Sequence, residues 1–469
     1  MPEEYDVIVI GGGPAGEHAV GRATDAGLNT ALVESELVGG ECSYWACMPS
    51  KTLIRPGQVL ADARSVPGAR EAMTGELDAS AALARRDWVT AGWDDHGQVE
   101  WLNSAGAELV RGRGRLVGER SVDVESPGGG IRRLVARRAV VLATGSATAV
   151  PPIEGLASTR FWDNREATAA KVVPERLVVL GGGVVGVELA QAWRRLGSRE
   201  VTVVEGGERL LPRAEPFASE EVRAAFEAEG IAVRSGVAVV AVRRDAPGRP
   251  VVVSLADGSS VTGDELLVAT GRRPRTADVG LEAVGLEPGR YLTVDGRLRV
   301  SGVPGGWLYA IGDVNGRALL THMGKYQARI AVRAILGEDV GVGADDGPVT
   351  SVIFTDPQVA SVGLTESEAR GKGLAVRVLR VATSSVAAAA IIGEGVTGTC
   401  QLVVDSSAGV PVGATFTGPG TGELLHAATI AVAGQVPLER LRHAVAAFPT
   451  LSEVWLELVE SYFSSDGGG

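Results

Sequence analysis

An α/β chain with two Rossmann-like dinucleotide-binding domains and a separate α+β segment at its end is the fold this sequence predicts, on three observations. From Tyr5 to Glu34 a β-branched run, a Gly-rich turn, a helical pattern and a second strand follow one another. The same succession returns over residues 176–212, in "RLVVLGGGVVGVELAQAWRRLGSREVTVVEGGERLLP". Beyond about residue 346, short strands alternate with helices and no third Gly-rich unit appears.

In chain order, "YDVIVI" is the first strand, the helix runs from Pro14 onward, and "NTALVE" is the next strand. Residues 56–150 mix helical segments with strands that turn at "SPGGG" and end in an apolar strand. Residues 236–271 repeat that theme in "VVVSLADGSSVTGDELLVATG". In the last part "QLVVD" and "VGATFTG" read as strands, and "ELLHAATIAVAG" and "LERLRHAVAA" as helices. The tail "SSDGGG" reads as disordered. The boundaries expected are 1–150, 151–275, 276–345 and 346–469, with 276–345 returning to the first nucleotide domain.

Composition narrows the function. The 469 residues carry a formal charge of -12, which argues against nucleic acid or an anionic membrane as partner. No stretch approaches the roughly 20 apolar residues of a membrane span. The opening "MPEEYDVIVIGGG" is acidic before a very short apolar run, so no signal peptide is expected. Three cysteines are too few for a disulfide scaffold, and a reducing, cytoplasmic setting is expected.

"GGGPAG" sets Gly11, Gly13 and Gly16 in GxGxxG spacing around Pro14 and Ala15. Gly11 permits the tight turn, Gly13 lets the backbone approach a pyrophosphate, and Gly16 lets helix and strand pack closely. Glu34, 18 residues after Gly16, stands where a carboxylate binds ribose hydroxyls. The second copy has Gly181, Gly183 and Gly186 around Val184 and Val185, then Glu205. A carboxylate there repels a 2′-phosphate, so NADH is favoured over NADPH, although Arg209 is close.

"GGECSYWACMPSK" puts Cys42 and Cys47 five positions apart. A zinc site would need a second ligand pair, and Cys400 stands alone among five scattered histidines, so no metal is expected. Two inert thiols remain open as a reading. The redox reading gains from position, because the pair follows the first nucleotide unit, where a bound flavin would have its ring nearby.

With these motifs the chain resembles the pyridine-nucleotide flavoprotein disulfide reductases, the group of dihydrolipoamide dehydrogenase, glutathione reductase and mercuric reductase. The resemblance runs from Tyr5 to about Tyr462. It rests on "GGGPAG", "CSYWACMPSK", "ATGS" at 143–146, "GGGVVGVELA", "ATGRRP" at 269–274, "YAIGDVNG" and "FPTLSE" at 448–453. It implies FAD on the first domain, NAD(P)H on the second, and a homodimer formed by the C-terminal domain with active sites shared between subunits. It implies that Cys42 is the interchange thiol and that Cys47 is the thiolate against the flavin. Lys51 would pair with Glu188 near the flavin N5. Gly40, Glu41, Gly114, Ala143, Thr144, Gly145, Gly312, Asp313, Leu320, Thr321 and His322 are the further candidates for FAD, and Gly271 for NAD(P)H. In the family a C-terminal His followed five residues later by Glu serves the thiols as acid and base.

The chain departs from that pattern. Glu453 is present, but Phe448 holds the His position. A phenyl ring carries no proton, and general acid–base catalysis typically contributes about 10²- to 10⁴-fold. Three readings follow: a disulfide whose thiol is acidic enough to need no base; a different electrophile, such as a metal ion or polarised sulfur compound; or direct transfer to a quinone. The tail lacks the extra cysteine pair of mercuric reductases, which argues against mercuric ion. His443, five residues earlier, reads as a surface helix residue rather than a replacement base. Tyr44 and Trp45, between the cysteines, are unusually bulky for the family and read as packing residues.

Overall fold

The structure, a computed structural model, describes residues 2–345 and 347–464. The chain forms two compact units, one of Met1–Pro49, Arg85–Ala149 and Gly271–Asp346, the other of Ser50–Ala84, Val150–Thr270 and Gly347–Gly469.

The first unit is built on a large sheet, in the strand order Glu108–Arg111, Thr30–Glu34, Glu3–Ile10, Ile131–Leu142, Ser121–Glu125, Arg113–Gly118, beside a small antiparallel pair of Ser146–Thr148 and Arg272–Pro274. Its inner strands are parallel, with Val7 opposite Thr30 and Ile8 opposite Val140. Val7, Ile8 and Val9 are all buried, as expected of a parallel strand covered on both faces. The segment after Gly271 returns to this sheet, where Leu308–Ala310 pairs in parallel with Ile131–Leu142. The "SPGGG" turn joins two antiparallel strands, and Ser126 N–H donates to Gly130 O at 2.8 Å. The first helix, Pro14–Asp25, begins on its proline, where the missing N–H would have been unpaired anyway. It buries Ala19, Val20 and Ala23 against the sheet.

The second unit holds three sheets. A parallel one runs Ile231–Ser235, Glu200–Glu205, Arg176–Leu180, Glu265–Val268, and a three-stranded antiparallel one covers residues 239–263. The helix Val184–Arg195 buries Val187, Leu189, Ala190 and Trp193. The third sheet is antiparallel, in the order Thr350–Ile353, Gln358–Gly363, Val410–Gly418, Thr399–Asp405, Val376–Ala382. The helix Thr421–Ala433 lays Leu424, Leu425 and Ala428 into the core of that part. Cys400 is buried there, its sulfur 3.4 Å from Thr383 Oγ1. Mixed α/β architecture, as the sequence predicts, is what the chain adopts.

One helix is shorter than expected. Only Leu438–Leu441 is helical in "LERLRHAVAA", and His443 sits exposed in the turn that follows. Val445 is 90 % exposed, so this stretch has no apolar face to bury, and the approach to Pro449 disfavours helical backbone. Of the tail read as disordered, Ser464 ends the helix Val454–Ser464 and residues 465–469 lie outside the described residues. Among the described residues no helix is long and apolar enough to cross a membrane.

Candidate functional site

In the first unit, Gly11 has φ +106, a conformation that suits glycine, and a side chain there would collide with the Ala143 carbonyl. A side chain on Gly16 would collide with Gly11 O, whereas one on Gly13 would meet nothing within 4 Å. The turn is therefore packed shut on two sides and open at Gly13, at the N-terminus of the helix Pro14–Asp25. Glu34 accepts the Gly12 N–H at 2.7 Å on one oxygen and the Glu36 N–H at 2.6 Å on the other. Its remaining lone pairs are available to ribose hydroxyls. Thr144 Oγ1 is buried without a hydrogen-bond partner. An open cradle and an orphaned hydroxyl on one sheet edge fit a bound dinucleotide.

The cysteine segment is docked on this turn. Gly39 N–H donates to Gly12 O at 2.7 Å, and a Cβ on Gly40 would lie 2.7 Å from Gly13 Cα. Cys42 follows on the short helix Gly40–Tyr44, and Cys47 opens the helix Cys47–Ser65. The Cys42 thiol is held well above its ordinary range, first by its hydrogen bond to Cys47, then by burial and the Cys47 charge. Thr321 and Lys325 pull it the other way. Thr321, the first residue of the helix Thr321–Ile335, stands with Oγ1 3.4 Å from Cys47 Sγ. Leu320 caps that helix in extended backbone, and His322 is exposed on its first turn. Tyr44 is buried, its hydroxyl donating to Gln98 Oε1 at 3.1 Å, so it packs within the unit.

Asp313 follows Gly312 and accepts a hydrogen bond from Ser146 Oγ. Burial raises its carboxyl. Ser146 also takes Arg272 Nε on its hydroxyl at 3.0 Å and Arg275 Nε on its carbonyl at 3.1 Å, and Arg275 continues to Glu41 Oε1 at 3.0 Å. Ser146 and Arg275 thus tie the "ATGS" turn, including Gly145, to Asp313 and Glu41. Sequence reasoning quoted both motifs and missed these two residues, because the link spans 129 positions of chain. Gly114 packs against Val33 and Ile10, where a side chain would not fit.

In the second unit the turn repeats. Gly181 has φ +102 against the Ala269 carbonyl, Gly186 packs on Gly181 O, and Gly183 faces open space. Val184 and Val185 are 41 % and 36 % exposed at the helix start, apolar surface that a ligand would cover. Glu205 accepts Gly182 N–H at 2.6 Å and Gly207 N–H at 2.7 Å, in the manner of Glu34. Arg209 is turned away, donating to the carbonyls of Leu211, Pro212 and Ala214. Gly271 precedes the strand Arg272–Pro274, and its carbonyl accepts the Ala149 N–H at 2.9 Å.

Lys51 and Glu188 form an ion pair in the second unit, as the motifs imply. Phe354, which the sequence did not flag, contributes its ring 5.1 Å from Lys51 Nζ and its N–H to Glu188 Oε1 at 2.9 Å. Phe448 is 75 % exposed, and one oxygen of Glu453 is buried without a partner.

The family described as pyridine nucleotide-disulphide oxidoreductase matches residues 5–332, and its dimerisation domain matches residues 349–459. The dihydrolipoyl dehydrogenase of Thermus scotoductus is 34% identical over 464 residues, 97% of each chain. A mercuric reductase of Lysinibacillus sphaericus is 29% identical, over 99% of this chain and 83% of its own. Among solved structures, the Cu(II) complex of the HOCl-induced flavoprotein disulfide reductase RclA from Escherichia coli aligns with a TM-score of 0.85 at 25% identity, covering 98% of this chain and 100% of that one. Two glycine cradles, a paired cysteine segment and these likenesses lead to one conclusion: the chain belongs to the pyridine nucleotide-disulphide oxidoreductase family and is an NAD(P)H-dependent flavoprotein oxidoreductase that uses FAD.

Proposed function

We propose that the protein passes electrons from NADH through FAD and a Cys42–Cys47 disulfide to a small disulfide whose thiol leaves without help from a base. The observation that carries this is the hydrogen-bonded Cys42–Cys47 pair, seated on the open glycine turn through Gly40 and Gly13.

Gly11, Gly13, Pro14, Ala15 and Gly16 hold the FAD pyrophosphate at a helix N-terminus, and Glu34 takes the ribose hydroxyls. Ala143, Thr144, Gly145, Gly312 and Asp313 line its path, with Gly40, Glu41, Leu320, Thr321 and His322 toward the ring. Bound FAD supplies the two-electron relay between nicotinamide and disulfide. Lys51, oriented by its ion pair with Glu188, sets a cation where negative charge develops. Gly181, Gly183, Val184, Val185 and Gly186 hold the NADH pyrophosphate, and Glu205 its ribose. Arg209 is spent on carbonyls, which supports NADH over NADPH. Cys47 carries the thiolate of the reduced pair, and Cys42, which keeps the proton, is the thiol that meets substrate.

With Phe448 in place of an imidazole, no ring nitrogen from that segment takes the proton of Cys42. A substrate with an acidic leaving thiol turns over without that imidazole, because its thiolate departs unprotonated and the proton of Cys42 passes to solvent water. The matched dimerisation domain supports a homodimer in which Phe448 and Glu453 complete the partner's site, and the acidic composition supports a cytoplasmic enzyme. A second reading, direct reduction of a quinone, is favoured by the exposed phenyl ring of Phe448, a flat apolar wall for a flat acceptor.

NADH oxidation with a panel of acceptors decides between them. Cys42→Ser and Cys47→Ser should abolish disulfide turnover and leave quinone turnover standing. Disulfide turnover that survives both substitutions would sink the main reading.

A further inference from the structure

The turn after the helix Ala79–Val89 is strained, and it lies against the segment that joins the two cysteines. Ala91, Gly92 and Trp93 have φ +50, +64 and +63 in succession. Left-handed backbone is uncommon in alanine and an outlier in a residue as bulky as tryptophan. Such strain persists where the surroundings over-determine it, and it concentrates at functional sites.

The surroundings here are specific. Thr90 is buried and donates its hydroxyl to Arg86 O at 3.1 Å, and Trp93 N–H donates to Thr90 O at 2.8 Å. The fully buried Arg86 side chain sets its guanidinium 5.3 Å from the Trp93 ring centroid. Turned this way, Trp93 Nε1 donates to the Tyr44 carbonyl at 3.1 Å. Tyr44 ends the helix Gly40–Tyr44, where a carbonyl has no donor within the helix. The next residues hold the rest of the segment. Gln98 Oε1 accepts the Tyr44 hydroxyl, and Asp95, fixed by Arg111 at 2.7 Å, accepts Val38 N–H at 2.8 Å. All of this bears on the cysteines through Tyr44, two residues after Cys42 and three before Cys47.

We propose that Trp93, presented by the strained turn, is a positioning residue for the redox pair, keeping Cys47 within reach of Cys42 while no bond joins them. The inference rests on the disulfide reading above. Cys42 gives its proton to solvent water and attacks a substrate disulfide, forming a mixed disulfide and expelling one substrate thiolate. Cys47, as thiolate, then attacks the Cys42 sulfur, the second substrate thiolate leaves, and the Cys42–Cys47 disulfide is restored. The substrate gains the two electrons the pair loses, and NADH replaces them through FAD. In the oxidised enzyme the S–S bond holds the segment together. In the dithiol and the mixed disulfide, contacts must do so, and a fixed Tyr44 raises the effective concentration of Cys47 at Cys42.

Trp93→Phe keeps a ring beside Arg86 and removes the N–H. The holoenzyme is equilibrated in dithiothreitol redox buffers and its thiols are trapped with a maleimide. The disulfide-to-dithiol ratio of the pair should fall about fivefold, a shift of about 20 mV toward less negative potential. Acid-quenched turnover of 4,4′-dithiodipyridine, which releases an acidic thiol, should leave about fivefold more enzyme with a thiopyridine on Cys42, read by peptide mass. Tyr44→Phe drops one hydroxyl bond and should move both readouts the same way by about twofold, so a Trp93→Phe protein that fails to fold does not end the test. Trp88→Phe, at an exposed ring on the preceding helix, should move neither. A lower melting temperature with both readouts unmoved in Trp93→Phe and Tyr44→Phe marks ordinary packing residues; it overturns the inference and leaves the disulfide reading intact. A parent enzyme that reduces no disulfide, with quinone turnover normal, overturns both.

Discussion

Lys51 pairs with the carboxylate of Glu188, which is 3 % exposed, and the same carboxylate fixes the backbone at Phe354. Removing the carboxylate strands a half-buried ammonium and a buried N–H together. Glu188→Ala should cost about 2–3 kcal/mol, below the usual range for a buried pair because Lys51 is 33% exposed. Glu188→Gln keeps an acceptor for Phe354 N–H and should cost about 1 kcal/mol. Urea midpoints of the holoenzyme would show the difference. Equal loss in both variants would mean that the charge, and not the Phe354 anchor, is what counts.

The glycines of the two turns make separable predictions. Gly13→Ala adds a methyl to open space, so the protein should fold but bind FAD at least about tenfold more weakly. Gly183→Ala should fold and keep FAD, with the KM for NADH raised by a similar factor. Gly16→Ala drives a Cβ into Gly11 O and should not fold at all. Circular dichroism, the FAD-to-protein ratio and NADH kinetics read the three outcomes. A Gly13→Ala protein saturated with FAD would remove that residue from the cradle.

Both cradles were legible in the sequence because each is written in one short run: strand, glycines, helix, acidic residue. Glu34 and Glu205 are therefore found by counting. What was not legible is held by contacts distant in sequence. Ser146 joins Asp313 and Arg275 only once the sheet has formed, and Phe354 reaches Lys51 from about 300 positions away. The overlong helix at 438–447 fails for the converse reason. Its local pattern is helical, but nothing in the fold covers Val445.

Cys42 is the thiol of the pair that holds its proton, because its hydrogen bond to Cys47, its burial and the Cys47 charge all oppose ionisation. In the reduced enzyme, alkylation of Cys42 by iodoacetamide should rise only in the alkaline range. Cys47→Ala removes the hydrogen-bond partner and the like charge, so the rise should move down by about one pH unit or more. Cys400, pushed up to about 11 by burial, serves as the unlabelled control. Peptide mass mapping across pH measures all three. An unmoved Cys42 profile in Cys47→Ala would show that burial alone sets it.

Glu205 is held on the N–H of Gly182 in the second cradle while Arg209 is tied to carbonyls. The ratio of kcat/KM for NADH over NADPH should therefore exceed about ten, and Glu205→Ser should cut it several-fold by removing repulsion of the 2′-phosphate. A wild-type enzyme indifferent to the phosphate would locate the discrimination elsewhere.

Phe448 and Glu453 give the sharpest test of the proposal that this segment supplies no base. Glu453 has one buried oxygen without a partner, five residues after an exposed phenyl ring. A carboxylate hydrogen-bonded to an imidazole fixes its tautomer and supports its positive charge, the role proposed for Glu453 toward a histidine introduced in place of Phe448. Phe448→His should raise NADH-linked lipoamide reduction by about 10- to 1000-fold, the lower part of what positioned acid–base groups contribute. The gain should have a pH optimum set by the new imidazole. Adding Glu453→Gln should remove most of it while turnover of 4,4′-dithiodipyridine, which needs no base, stays within about twofold of the parent. If Phe448→His leaves lipoamide reduction unchanged, the pocket itself excludes that neutral alkyl disulfide. The absent proton carrier would then be a consequence of a different substrate rather than the cause of slow turnover.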